Sequence, residues 1–153
     1  MHIRSLKKIC LYLMMMPVLL MISCEKGDDN SNLPPLRDLN LAYKKWKDSE
    51  ISTYTYKIAR RDCECDGRTY EVSVVNHAII SVKNAQGNQI QSIDGFKTID
   101  GLFTLIDSSL KKAPHQAQIT YDPIYGYPLD IYIDHIEQMA DEEDSYIITD
   151  FKK

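Results

Sequence analysis

Apolar residues recur along this chain in two rhythms, one near 3.6 residues and one of two. Between 36 and 50, Leu36, Leu39, Tyr43 and Trp46 fall at helical spacing, with Arg37, Lys44, Lys45 and Lys47 mostly elsewhere. That pattern predicts an amphipathic helix. A second helix is predicted from Thr98, whose hydroxyl suits an N-cap, with Asp100 in the first turn. Its apolar face is Ile99, Leu102, Phe103, Ile106 and Leu110, and Pro114 stops it. The period of two appears first at 53–60, where Tyr54, Tyr56 and Ile58 share a face. It continues at 69–75, dense in β-branched residues, and at 78–82 after a two-residue turn, Asn76-His77. A polar loop, 84–95, leads to the second helix.

After that helix the alternation returns three times. Residues 116–121 set Ala117, Ile119 and Tyr121 on one face, and 128–134 set Leu129, Ile131 and Ile133 on one face. The turn 122–127 between them is rich in Pro and Gly, and 145–151 supplies a sixth strand. Short turns make neighbouring strands antiparallel. The expected fold is α+β, an antiparallel sheet with two helices on one face, in the order α-β-β-β-α-β-β-β. That order also invites an αβββ duplication, although no residue-level repeat links the halves.

The first residues obey a different logic. Arg4, Lys7 and Lys8 precede an apolar run from Ile9 to Ile22, broken only by Pro17. The run is short of the roughly 20 residues that span a bilayer, and it suits the core of a signal peptide. It ends in Met21-Ile22-Ser23-Cys24, which resembles the lipobox of bacterial lipoproteins. The resemblance implies that Cys24 is lipidated, for example with palmitate, and becomes the first residue of the mature protein. Each buried methylene of an acyl chain adds about 0.8 kcal/mol, and more than one chain gives stable anchoring. Three segments follow: a signal peptide, 1–23; a polar tether, 24–35; and a single domain, 36–153. Within the tether, Lys26-Gly27-Asp28-Asp29 resembles the short acidic signal that sends some bacterial lipoproteins to the cell surface. The expected location is the cell envelope, on an outer membrane, at its surface or its periplasmic face.

Charge narrows the partners. Without Arg4, Lys7 and Lys8, the 18 basic residues become 15 against 22 acidic ones, a net charge near −7. Nucleic acid is an unsuitable partner for such a chain. From Ile119 to Phe151 there is no Lys or Arg among nine carboxylates and five tyrosines. A partner meeting that stretch is expected to be basic, and its binding to weaken with salt.

Candidate chemistry is sparse. Cys63-x-Cys65 can form a disulfide, remain as thiols, act as a redox pair or join a metal site. A three-residue loop gives a bridge a chain-entropy contribution of only about 1.6 kcal/mol, so it would stiffen a turn more than the fold. Asp130, Asp134, Asp141 and Asp144 could offer oxygen ligands to a hard cation, but no calcium-loop pattern is present. No Gly-x-Ser-x-Gly or diagnostic histidine spacing occurs, so no catalytic residue and no cofactor is assigned. Tyr125 in the turn and Tyr132, opposite in face to Ile131 and Ile133, are candidate contact residues. The leading expectation is an envelope-anchored binding or scaffolding domain. The alternatives are an enzyme acting on an envelope polymer, and a calcium or redox module.

Several phrases together carry a resemblance. They are Trp46, Tyr54-x-Tyr56, an arginine (Arg60 or Arg61) before Cys63-x-Cys65, Val72-x-Val74 and Thr98-Ile99-Asp100-x-Leu102-Phe103. Tyr121-Asp122-Pro123-x-x-Gly126-Tyr127-Pro128, Ile131-x-Ile133-Asp134, 141–144 and Tyr146 complete them. The set resembles the bacterial family called domain of unknown function 6174, found on secreted proteins and lipoproteins, over nearly all of 40–151. The resemblance implies the limits of the domain and an envelope location, and it supplies no catalytic residues.

Overall fold

The computed structural model describes residues 34–61, 68–137, 139 and 142–153. Two helices, α1 (Pro34–Asp48) and α2 (Ile99–Leu110), pack on one face of a six-stranded antiparallel sheet. The strands are β1 (Tyr54–Arg60), β2 (Thr69–Val75), β3 (Ala78–Lys83), β4 (Gln116–Tyr121), β5 (Pro128–Asp134) and β6 (Asp144–Lys152). The fold is therefore α+β in the expected order. None of the described helices is long and apolar enough to cross a membrane.

Across the sheet the strands run β3-β2-β1-β6-β5-β4. The first and last strands of the chain thus meet at its centre. The two halves contribute β3-β2-β1 and β6-β5-β4, the same local order, but because every neighbouring pair is antiparallel β4 runs opposite to β1.

Alternation decides which residues are buried. Tyr54, Tyr56, Ile58, Val72, Val74, Val82, Ile131, Ile133, Tyr146 and Ile148 face the helices. From the helices come Leu36, Leu39, Ala42, Trp46, Ile99, Leu102, Phe103, Ile106 and Leu110. Burying a side chain of this kind contributes about 1.5–3 kcal/mol relative to leaving it exposed. Two expectations need correction. Ala42, not Tyr43, completes the buried face of α1; Tyr43 is 40% exposed and lies against the Phe103 ring. In β5, Leu129 is only half-buried, because a register shift lets Thr120 pair with Asp130 while Tyr121 pairs with Pro128. Leu129 is the extra residue of that bulge, and the bulge moves Pro128 onto the inner face.

The turns follow local chemistry. Asn76 (φ 49°) and His77 (φ 64°) both adopt the left-handed conformation that a two-residue hairpin turn demands. Thr98 caps α2, its hydroxyl oxygen accepting from the Gly101 N–H at 3.0 Å. In the β4–β5 turn, Asp122 Oδ1 accepts from the Ile124 and Tyr125 amides at 3.0 and 2.6 Å. Gly126 (φ +81°) lies under α1: a Cβ there would run into the Ala42 carbonyl oxygen and stand 2.9 Å from Lys45 Cβ. The Lys45 ammonium also donates to the Pro123 carbonyl at 3.1 Å. Helix and turn are thus fitted backbone to backbone, a contact only glycine permits.

Candidate functional site

The inner face of the sheet is not covered evenly. Over β4, β5, β6 and the start of β1 the two helices close it. Toward the end of β1 and the start of β2, only the loop before α2 lies above it. A cleft of about 230 Å³ opens there. Ile58, Tyr70 and Tyr146 come from three adjacent strands, and Gly95 and Phe96 from the loop. Arg60, Arg68 and Asp94 supply its charged groups.

Strand periodicity positions these side chains. Arg60 follows Ile58 by two, so it projects to the inner face where β1 ends, and its guanidinium lies 5.5 Å from the centre of the Tyr146 ring. Tyr70 meets Phe96 edge to face at 5.1 Å. Asp94 accepts from the Ser92 hydroxyl at 3.1 Å, which helps to shape the loop. Aromatic rings, an apolar floor and two guanidinium groups together suit a flat group that carries negative charge. The cleft is small for a whole drug-sized ligand and fits a single ring or one end of a larger chain. Sequence reasoning missed it. Its members are scattered from Ile58 to Tyr146; Arg60 and Tyr146 entered only as parts of the family pattern, and Arg68 belonged to no motif.

The site residues expected from the sequence are dispersed. Cys24, Cys63, Cys65 and Asp141 lie outside the described residues. Arg61 pairs with Asp130 across the outer face of the sheet. Asp144 lies 3.1 Å from His135 Nε2, and its Oδ1 is 3.4 Å from the Tyr146 hydroxyl. Asp134 has one carboxylate oxygen that is buried without a hydrogen-bond partner. Among the described residues, no group of three or more His, Cys, Asp and Glu is placed to hold a metal ion.

Tyr125 and Tyr132 are on opposite sides of the sheet. Tyr125 is half-buried on the helix-bearing side, its ring 6.2 Å from Phe151 and 4.6 Å from the Lys153 ammonium. Tyr132 is half-buried on the outer face, between Gln118 of β4 and Ser145 of β6. The stretch 119–151 carries no cation of its own, yet the fold brings it several. Arg61 reaches Asp130, and Lys57 reaches Asp150 at 2.7 Å. The second pair, held by a hydrogen bond, raises the Lys57 pKa and lowers that of Asp150.

A second polar cluster joins three elements. Asp100, in the first turn of α2, accepts from Trp46 Nε1 at 3.3 Å and from the Lys47 ammonium at 3.4 Å, and lies 3.7 Å from His77 Nδ1. It ties the end of α1, the β2–β3 turn and the start of α2 together, a structural task. Two buried tyrosines hold the same helix start. The Tyr54 hydroxyl accepts from the Ile99 amide at 2.9 Å, and the Tyr56 hydroxyl donates to the Lys97 carbonyl. Burial pushes the Tyr54 phenol up to about 12, and pushes Tyr56 and Tyr121 up further.

The fold and the cleft define a class, a small α+β domain with a shallow site under a loop. Residues 38–153 match the family of unknown function DUF6174, and the chain belongs to that family. No curated protein and no solved structure matches it.

Proposed function

We propose that this chain is a lipoprotein of a bacterial envelope, anchored through a lipid on Cys24, and that its folded domain is a binding module. The cleft under 94–96 is its binding site. The observation that carries the reading is the convergence of Arg60, Arg68, Tyr70, Phe96 and Tyr146 on one concavity, where the helices leave the sheet uncovered. Rings offer stacking area and guanidinium groups select anions, so the ligand class is a flat or ring-shaped group bearing a carboxylate or phosphate. The basic partner expected from the sequence would meet the outer face instead, where Asp130 is already paired with Arg61.

Two measurements test the two halves of the proposal. Metabolic labelling with palmitate is expected to mark the protein, and Cys24→Ala to abolish the label; a Cys24→Ala protein that still labels refutes the anchor. For the cleft, benzoate and glucuronate at millimolar concentration are the probes. Amide resonances of Ile58, Tyr70 and Phe96 are expected to shift, and Arg68→Gln to weaken the effect severalfold. Shifts scattered over the surface, or unchanged in Arg68→Gln, would reject the cleft as the site.

A further inference from the structure

The two edges of the sheet are treated differently. At one edge, β3 is guarded. The Ile90 amide donates to the Val82 carbonyl at 2.8 Å, and Lys83 and Gln89 form an isolated bridge. A register shift between Ser73 and Val74 throws Ile80 out of the ladder, and Lys83 puts a charge on the strand. Bulges, charges and covering segments are the means by which folded proteins protect an edge from pairing with another chain.

At the other edge, β4 has none of these. It reads Gln116-Ala117-Gln118-Ile119-Thr120-Tyr121, without charge or proline. The bulge in its ladder puts the extra residue, Leu129, in β5, so β4 itself stays regular. Among the described residues, its ladder partner is β5, and no backbone hydrogen bond reaches its outer side. Alternate residues of this regular six-residue strand therefore turn their backbone donors and acceptors away from β5, toward the open edge.

We propose that β4 is an edge through which two copies of this chain pair, antiparallel and centred on Ile119, to join their sheets. The occupant follows from the strand's own sequence. A two-fold axis through such a pair sets Ile119 against Ile119, Gln118 against Thr120, and Ala117 against Tyr121. Every pair then lies on one face. No like charges meet, and the largest side chain of the strand stands opposite the smallest. Aromatic and β-branched partners on the inner side, and polar ones on the outer side, are the combinations that stabilise antiparallel ladders. The pairing leaves the cleft untouched, since that cleft lies toward β2 and the loop before α2.

The test uses the full chain in detergent with Cys10, Cys24, Cys63 and Cys65 changed to Ser, so that each introduced cysteine is the one thiol present. Ile119→Cys is expected to form a disulfide-linked dimer on mild oxidation, and Ile80→Cys, on the guarded edge, to form none. Because Ile119 is half-buried, a second variant keeps the test sound. Gln118 and Thr120 are exposed, so Gln118→Lys with Thr120→Lys leaves the core intact while setting ammonium groups opposite each other. Sedimentation equilibrium is expected to show a dimer for the parent and at least a tenfold weaker association for the double variant. A parent that sediments as a monomer, a dimer indifferent to the two lysines, or an Ile119→Cys crosslink to another protein in place of the dimer would each overturn the proposal.

Discussion

The inner face of the sheet has two ends, and they are built on different terms. At the β4–β5 end, α1 rests on the turn so closely that Gly126 has no room for a methyl group. At the β1–β2 end the cover is the loop before α2. There Gly95 is also left-handed (φ +91°), yet a Cβ added to it would meet nothing within 4 Å. The same conformational demand is therefore embedded in packing at one end and in open space at the other. A tight end fixes the relation of helices to sheet. A loosely covered end leaves volume, and the cleft occupies it.

Substitution of the two glycines is the sharpest way to break this contrast. Gly126→Ala combines backbone strain with a clash against the α1 backbone, and it should cost about 3 kcal/mol or more by urea denaturation. Gly95→Ala carries the conformational penalty alone, about 1–2 kcal/mol. Equal losses would mean that the turn is not clamped by α1.

Alkaline pH probes the core beneath the helices. Tyr54, Tyr56 and Tyr121 keep their protons more tightly when folded than the ordinary phenol value of 10.0, because burial disfavours the phenolate. The unfolded chain releases those protons first. Stability is therefore full below about pH 10 and falls as pH climbs toward and past 12. Absorbance at tyrosinate wavelengths should rise together with loss of circular dichroism. Smooth phenol titration with the fold intact would contradict the buried placement of these rings.

Smaller effects refine the picture. Tyr54→Phe leaves the Ile99 amide without its partner at the start of α2, and about 1–2 kcal/mol should be lost. Exchange of that amide with deuterated water should quicken. Lys57→Ala removes an ion pair whose two side chains are about half exposed, and the denaturation midpoint at physiological salt should not move measurably.

The sequence showed most of the frame because its elements are locally consistent. Alternation at Tyr54, Tyr56 and Ile58, the cap at Thr98 and the left-handed pair Asn76-His77 each act through neighbours within a few residues. Leu129 and Tyr43 escaped for one shared reason: each depends on a distant partner. The bulge at Leu129 is set by pairing with β4, and Tyr43 is displaced by the way α1 lies over Phe103. The cleft was hidden more deeply. Ile58, Tyr70, Phe96 and Tyr146 look like ordinary core and strand residues in one dimension, and only the order of strands brings them to one hollow. The acidic stretch illustrates the converse, since its lack of basic residues is a fact of the chain that Arg61 and Lys57 cancel in space.

The seat of α1 on the β4–β5 turn has a mechanical side. Pro34 opens the helix, so tension arriving from the preceding residues enters the domain there. Load on α1 passes first into the contacts of Leu36 and Leu39, then into the Ala42–Gly126 fit and the Lys45–Pro123 bond. Beyond them stands Trp46, wedged between Tyr54 and Phe151 on the two central strands. A pull on the N-terminal side is therefore expected to peel α1 from its first turn inward before it loads Trp46, about three turns into the helix and over the two central strands.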